Sequence, residues 1–341
     1  MEEKGRIGIP KALMYYRYFP FWLAFFEALG WRVLVSDGLE KTGKIIYFED
    51  SCLPMKLLVT HGVSLKDQVD FIFVPRLVSL HRTFIMCPKF RGAPDILRLA
   101  GEGRLSIIDE TIDLRRGKRA LLLPFLKIGE KLGASHRESR RAFLKGEASY
   151  SKFRQECGDR INRLPLKDLF RFDIPTPSPL KGEAPDLRKT SLRVAFIGHP
   201  YNLFDRDINK DVLTLTKQMG IEILTPDLLS EKEIDREVAD LSKEIYWSSG
   251  REIVGALFHF LKGGVDGVIF LTSFKCGIDA LLQEFIKRSL KVREKSAVPF
   301  LVLSFDEHTG REGLITRLEA FKDVMEQRKA MSNAKVQSSN Q

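Results

Sequence analysis

Residues 6–37 read RIGIPKALMYYRYFPFWLAFFEALGWRVLVSD. A short β-rich run, a glycine-proline turn, an apolar stretch of helical period stopped by Gly30 and a second β-rich run together spell a βαβ unit. Residues 193–227, RVAFIGHPYNLFDRDINKDVLTLTKQMGIEILTPD, repeat the order of strand, Gly-x-Pro turn, tyrosine, helix, glycine stop at Gly220 and strand. Between the two lies IPTPSPLKGEAPDLRKTS, residues 174–191, with Pro175, Pro177, Pro179 and Pro185 in one polar stretch. That is how a linker looks. The expected organisation is a first lobe over 1–115, a basic helical segment over 116–174, a Pro-rich linker over 175–190, a second lobe over 191–328 and a disordered tail over 329–341.

Further β-rich runs ahead of helical patterns occur at VDFIFVPRLVS, LSIIDETID, VDGVIFLTSF and VPFLVLSFDE. Strands rich in Val, Ile and Phe without strict alternation suit a parallel sheet covered on both faces. The expected fold class is α/β, two Rossmann-like doubly wound parallel-sheet lobes with a basic helical insertion and a central cleft. In such sheets ligands collect at the carboxyl ends of the strands.

The 341 residues are 44% hydrophobic and 29% charged, with a formal charge of +10. This composition excludes wholesale disorder and collagen-like structure. The most apolar stretch, Phe19 to Trp31, is interrupted by Glu27 and falls short of the ~20 residues a spanning helix needs. MEEKGRIGIP at the start lacks an apolar signal core, so cytoplasmic residence is the expectation. From Arg115 to Arg171 there are 16 Lys and Arg against 6 acids, which accounts for the whole net charge. This segment reads as one or two basic amphipathic helices, able to hold an acidic partner or a cofactor phosphate or to stand simply as a solvated face. No zinc-finger spacing or aromatic RNA-binding signature accompanies it, so nucleic acid is not the expected partner.

Four cysteines are too few for a disulfide scaffold. Cys52 in YFEDSCLPMKLL precedes a helix whose Pro54 suits the first turn. Cys87 in FIMCPKFRGAPDILRLA follows an apolar run, with a helix start expected at Pro94 and Asp95. Cys276 in VIFLTSFKCGIDALLQEF ends a strand, with Gly277 opening a helix. A cysteine at a helix N-terminus feels the positive end of the dipole, which favours the thiolate that soft metal sites require. Cys157, in RQECGDR, has no strand behind it and reads as a bystander. Spacing alone leaves other readings open: buried cysteines used as small hydrophobes, or one nucleophilic cysteine served by His61, His81, His199 or His308.

Six blocks in order, GIPKALMYYRYFPFWLAFFEALG, EDSCLPMKLL, CPKFRGAPD, GHPYNLFDRDIN, FLTSFKCGIDA and DEHTGREGLITRLEAF, resemble proteins related to the activase and dehydratase components of the 2-hydroxyacyl-CoA dehydratase system. The resemblance runs from about residue 5 to about residue 328. It implies two Rossmann-like lobes and an iron-sulfur cluster, [4Fe-4S] or a larger double-cubane type, with Cys52, Cys87 and Cys276 as ligands. One departure is Ile278, where a proline is expected after the Cys-Gly pair. The resemblance further implies a low-potential relay, in which an ATP-hydrolysing activator subunit passes single electrons through the cluster to an acyl-CoA thioester, giving a ketyl radical. A second dehydratase-like subunit or a homodimer would complete the assembly. Two other readings stand beside it: a non-catalytic iron-sulfur electron carrier or scaffold, and a metal-free binding or regulatory protein of the same fold.

ATP chemistry is not expected in this chain. GLEKTGK, Gly38 to Lys44, fits the phosphate-loop spacing, but Ile45 stands where the magnesium-binding Ser or Thr belongs, and KIIYFED reads as a strand rather than a helix. DEHTGREG places Glu307 and His308 at a strand end, as catalytic candidates or as parts of a helix cap. Asp50 and Lys56 flank Cys52, where Lys56 could meet a cluster or a CoA phosphate or stand exposed. His199 and Arg17 lie in the matching first loops of the two halves and are candidates for cluster support or CoA binding. Neither loop has the G-x-G-x-x-G of a dinucleotide site.

Overall fold

The structure is a computed structural model describing residues 4–37, 45, 46, 48, 50–163, 192–241, 245–292 and 298–339. The Gly38–Lys44 stretch and the 175–190 linker lie outside the described residues. Ile45, Ile46 and Phe48 are not in a strand, contrary to the reading of KIIYFED. The chain forms two compact units, Met1–Glu156 with Leu241–Arg251, and Cys157–Asp240 with Glu252–Gln341.

The first unit runs β1 (Arg6–Ile9), α1 (Tyr15–Ala28), β2 (Arg32–Val35), α2 (Leu53–Ser64), β3 (Phe71–Phe73), β4 (Arg76–Ser79), α3 (Pro88–Ala100), β5 (Ile107–Ile108), β6 (Thr111–Asp113), α4 (Leu122–Lys131) and the start of α5 (His136–Arg163). Its main sheet has the order β2-β1-β3-β5 and is parallel throughout, and β4 and β6 form a small parallel pair. The second unit contains β7 (Arg193–Gly198), α6 (Pro200–Phe204), α7 (Arg206–Asn209), α8 (Val212–Gln218), β8 (Glu222–Leu224), α9 (Glu231–Val238), most of α10 (Ser248–Lys262), β9 (Gly267–Ser273), α11 (Gly277–Val292), β10 (Phe300–Phe305) and α12 (Arg311–Ser339). Its sheet is also parallel, in the order β10-β9-β7-β8.

Counted along the chain within each main sheet, both orders are 2-1-3-4. The two halves repeat one doubly wound topology, as the recurring strand-turn-helix-strand order predicts. In each, the order reverses beside the first strand, so the switch points lie between β1 and β3 and between β7 and β9. These are the places where a parallel sheet leaves room for a ligand.

Aromatic side chains dominate both cores: Phe25, Phe26, Phe73 and Phe125 in the first unit and Phe196, Phe258, Phe270 and Phe305 in the second are fully buried. The basic segment is not a separate body up to Glu156. Its α4 inserts Phe125 against Phe21 and Phe25, with ring centroids 4.7 and 4.9 Å apart, and α5 lays Phe143 on Phe21 at 5.4 Å and Tyr150 on Tyr18 at 5.3 Å. The apolar stripe of these helices faces α1 and the charges occupy the remaining surface, as their periodicity predicts. Ser135 and Glu138 close a capping box at the start of α5, bonding reciprocally to each other's backbone N–H.

Two expectations are corrected. The helix after Gly198 is broken into α6, α7 and α8: Asp205 turns extended, at φ −81°, ψ 111°, between the first two, and Lys210 and Asp211 take left-handed backbone, at φ 52° and 65°, between the last two. The Asn209 side chain anchors that turn by donating to the Leu203 carbonyl at 2.6 Å and accepting from Asp211 N at 2.9 Å. At the other end of the chain, α12 continues to Ser339, through residues read as a disordered tail. Residues 329–339, KAMSNAKVQSS, contain helix formers and neither Gly nor Pro, so nothing stops the helix. Among the described residues no helix is long and apolar enough to cross a membrane.

Candidate functional site

In the first unit, two of the expected ligands occupy equivalent positions. Cys52 is the N-cap of α2, with extended backbone at φ −72°, ψ 152°, and a proline follows in the first turn. Cys87 is the N-cap of α3 at φ −49°, ψ 140°, again with proline in the first turn. Helix α3 therefore begins at Pro88, six residues before the Pro94 start expected from sequence, and Pro94 lies inside it. Pro88 at the first position loses no helical hydrogen bond, because that N–H has no partner within a helix anyway.

The Cys52 carbonyl accepts from Met55 N at 3.0 Å and the Cys87 carbonyl from Phe90 N at 3.0 Å. Neither helix has an acidic residue in its first turn to neutralise the positive dipole end. The field at both N-caps thus favours a thiolate. Gly62 lets the two helices approach, since a Cβ there would stand 2.5 Å from the Leu97 side chain. Lys89 Nζ, two residues past Cys87, donates to the Asp50 carbonyl, two residues before Cys52, at 3.2 Å. This bond ties the two cysteine loops together.

The second unit places its cysteine at its switch point. Cys276 follows β9 and its carbonyl accepts from Ala280 N at 3.1 Å, opening α11. His199 follows β7 directly and is the N-cap of α6. Asp279 lies in the first turn of α11. His199 Nε2 and Asp279 Oδ1 are 2.8 Å apart, at 3% and 0% side-chain exposure. The contact lacks hydrogen-bond geometry, so both atoms are buried without a hydrogen-bond partner. Each of these residues and Cys276 offers a donor atom, and all three atoms lie within 4.8 Å of one another.

The surrounding bonds hold the arrangement in place. Asn202 Nδ2 donates to Asp279 Oδ2 at 3.3 Å and to the Leu271 carbonyl at 3.2 Å, while Ser273 Oγ donates to Asn202 Oδ1 at 2.7 Å. The His199 ring stacks on Tyr201 with centroids 4.8 Å apart. Gly198 is required beside it, because a Cβ there would stand 2.6 Å from the Leu271 carbonyl oxygen and force β7 from β9. Lys275, immediately before Cys276, and Asp50, two residues before Cys52, are non-glycine residues in left-handed backbone at φ 63° and 56°. Such strain concentrates where a fold holds a functional group in a set position.

Among the described residues, the switch point of the first unit carries no such cluster of donors. It forms a small recess lined by apolar side chains, among them Leu13, Met14, Trp22, Phe73, Val74 and Phe90.

The other expected residues fall as follows. Arg17 is buried on α1 and Lys56 is buried on α2, which rules out the reading of Lys56 as an exposed helix lysine, while Asp50 is exposed. Burial raises the Tyr15 phenol far above its ordinary range, as suits packing rather than proton transfer. His308 is exposed in the turn before α12, where its backbone N–H donates to Asp306 Oδ1 at 2.9 Å and the Thr309 hydroxyl donates to the same oxygen at 2.8 Å. Burial pushes the Asp306 carboxyl up, but these hydrogen bonds outweigh it and hold the pKa below the ordinary carboxylate value. The turn around Glu307 and His308 is thus closed by bonds among Asp306, His308 and Thr309. Cys157 is buried within α5.

Asp279 was missed by sequence reasoning. Its signal was the Cys-x-x-Asp spacing at the start of a helix, which sets positions 276 and 279 one turn apart on the same face.

A protein-family model described as "CoA enzyme activase uncharacterised domain (DUF2229)" matches residues 6–229. The match opens on the first residue of β1 and closes just beyond β8. It includes Cys52, Cys87 and His199, and ends before Cys276 and Asp279. No curated protein matches the chain.

Proposed function

The chain belongs to the family of the CoA enzyme activase uncharacterised domain, and from that premise we propose that it is an iron-sulfur component of an ATP-dependent, low-potential acyl-CoA dehydratase or reductase system. Cys52, Cys87 and Cys276 would hold the cluster, an ATP-hydrolysing activator subunit would supply electrons, and a CoA thioester would receive them. A second dehydratase-like subunit or another copy of this chain would complete the assembly.

The observation that carries this reading is the shared placement of the three cysteines. Each stands immediately before a helix, and at Cys52 and Cys87 no acid in the first turn offsets the dipole that favours thiolate over thiol. The donor chemistry suits iron, because soft thiolates are the ligands that iron-sulfur clusters take. When bound, the cluster would supply single-electron transfer, which side chains do not perform. The protein would hold the thiolates in fixed positions and keep the surroundings dry. Cys52 at 8% exposure supports that role, and Cys87 and Cys276 are half-buried. Lys56, at 3% exposure, brings a side chain of positive charge type into the turn after Cys52, as binding an anionic cluster favours.

Serine at each position in turn tests the ligand set. After anaerobic purification and dithionite reduction, Cys52→Ser, Cys87→Ser and Cys276→Ser are each expected to lose most of the paramagnetic resonance signal of the reduced cluster. Cys157→Ser should keep it in full. A signal lost equally in all four, or kept in any of the first three, contradicts the assignment.

A further inference from the structure

The geometry points to a site for one divalent transition-metal ion in the second unit, held by His199 Nε2, Cys276 Sγ and Asp279 Oδ1. Three observations carry it.

The first is the pair of unpartnered buried atoms. A carboxylate at 0% exposure with one oxygen lacking a hydrogen bond is costly, and so is a buried ring nitrogen in the same state. The two atoms stand 2.8 Å apart, an ion pair when the imidazole is protonated, but without hydrogen-bond geometry. A cation between them satisfies both. Two ligands of a tetrahedral ion at about 2.05 Å stand about 3.3 Å apart, so a few tenths of an ångström of separation accommodates one.

The second is charge and donor type. A thiolate and a carboxylate together neutralise a divalent ion, which removes the penalty of burying two anions. One sulfur, one imidazole and one carboxylate is a borderline-soft set that suits Zn²⁺ or Fe²⁺ and is wrong for the oxygen cages of Mg²⁺ and Ca²⁺. Three protein ligands leave a fourth position for water or an incoming group.

The third is support and place. Asn202 fixes the second carboxylate oxygen of Asp279 and is itself fixed by Ser273 and Leu271, as the outer partners of metal ligands commonly are. The donors lie in the segments that follow β7 and β9, the strands that flank the switch point of this sheet, with Asp279 in the first turn of α11.

The site goes beyond the iron-sulfur reading, because it lies within one unit and uses neither Cys52 nor Cys87. Both groups draw on the Cys276 thiolate, so the single ion is the occupant of a chain that carries no cluster.

Cobalt(II) is a suitable probe ion, since its spectrum reports thiolate ligation and coordination number. The full chain with Cys52→Ser, Cys87→Ser and Cys157→Ser, freed of metal by chelation, leaves Cys276 as its only thiol. It is expected to bind one Co²⁺ with a thiolate-to-cobalt charge-transfer band and four-coordinate visible bands. Adding Cys276→Ser should abolish the charge-transfer band. Adding His199→Ala or Asp279→Asn should weaken binding by ~10-fold or more, with the far-ultraviolet circular dichroism unchanged. No charge-transfer band in the parent, or the same affinity in the His199 and Asp279 variants, overturns the site.

If those variants do not fold, X-ray absorption at the zinc edge of the unmutated, zinc-loaded chain decides instead. One sulfur with nitrogen and oxygen neighbours is expected, and a shell of sulfur alone or one without sulfur overturns the site. Cobalt on the triad in a chain that never assembles iron and sulfide leaves this site standing without the cluster. Assembled iron and sulfide with no cobalt on the triad does the reverse.

Discussion

Truncating Phe125 to alanine is expected to cost about 3–5 kcal/mol of unfolding free energy, the range for removing a large buried aromatic. Phe125 is 1% exposed and stands at the hub of a ring cluster. Its centroid lies 4.7 Å from Phe21, 4.9 Å from Phe25, 5.7 Å from Phe143 and 6.5 Å from Phe73. The rings meet at interplanar angles of 50° to 73°, edge-to-face or tilted arrangements that add attraction beyond buried area. Four elements, α1, β3, α4 and α5, share this one side chain, so no single neighbour can collapse into the space it leaves. Urea unfolding followed by circular dichroism reads the loss. A loss below about 1 kcal/mol would show that the basic helices are held by something other than this cluster.

The second large effect is a pH dependence set by His61. Its pKa is pushed down from 6.5 to about 4, chiefly by burial and further by the Lys11 charge, with Asp37 acting weakly in the opposite direction. The Nδ1 atom lies 2.8 Å from Ser36 Oγ, which also accepts from Lys11 N at 2.9 Å. The Nε2 atom is buried without a hydrogen-bond partner, so a proton added there gains no acceptor.

Because the folded pKa is depressed, the unfolded chain binds the proton first as pH falls. The stability that neutral His61 provides is complete above pH 6.5 and is lost progressively between 6.5 and about 4. A shift of that size corresponds to a loss on the order of 3 kcal/mol across the window. Unfolding free energy measured at several pH values should fall over that interval in the unmutated chain and fall distinctly less in His61→Gln. Equal slopes in the two proteins would mean that His61 is already charged in the fold or that other groups set the dependence.

The fold was legible because doubly wound units write themselves in punctuation. Gly30 and Gly220 end their helical stretches, and the runs around them became β1, β2, β7 and β8. What the letters hid were features decided by contacts distant in the chain. The break between α6 and α8 depends on Asn209 bonding back to the Asn202 and Leu203 carbonyls, which no local pattern announces. Helix α3 starts at Pro88 rather than Pro94 because two prolines competed for the same role, and Cys87 at the N-cap settles which one opens the helix. The basic segment was recognisable as amphipathic helix, but its attachment to α1 is made by Phe125, Phe143 and Tyr150, apolar letters in a stretch that reads mainly as charge.

The candidate site divides along the same line. Cysteines at strand-to-helix loops are visible in sequence, since the turn residues and prolines mark the helix starts. The partners of a cysteine are not. His199 precedes Cys276 by 77 residues, and their juxtaposition follows only once β7 and β9 are known to be neighbours. Asp279 gave no sign of burial, because an acid in a first turn ordinarily serves the helix dipole in solvent. Only its 0% exposure separates it from a routine capping residue.

Iron and acid-labile sulfide, measured per chain on anaerobically purified protein, test the central claim most directly. About four irons and about four sulfides, or close to twice that for the larger cluster type, are the expected result. Protein that folds and binds a single metal ion yet contains no sulfide after anaerobic reconstitution would contradict the iron-sulfur assignment.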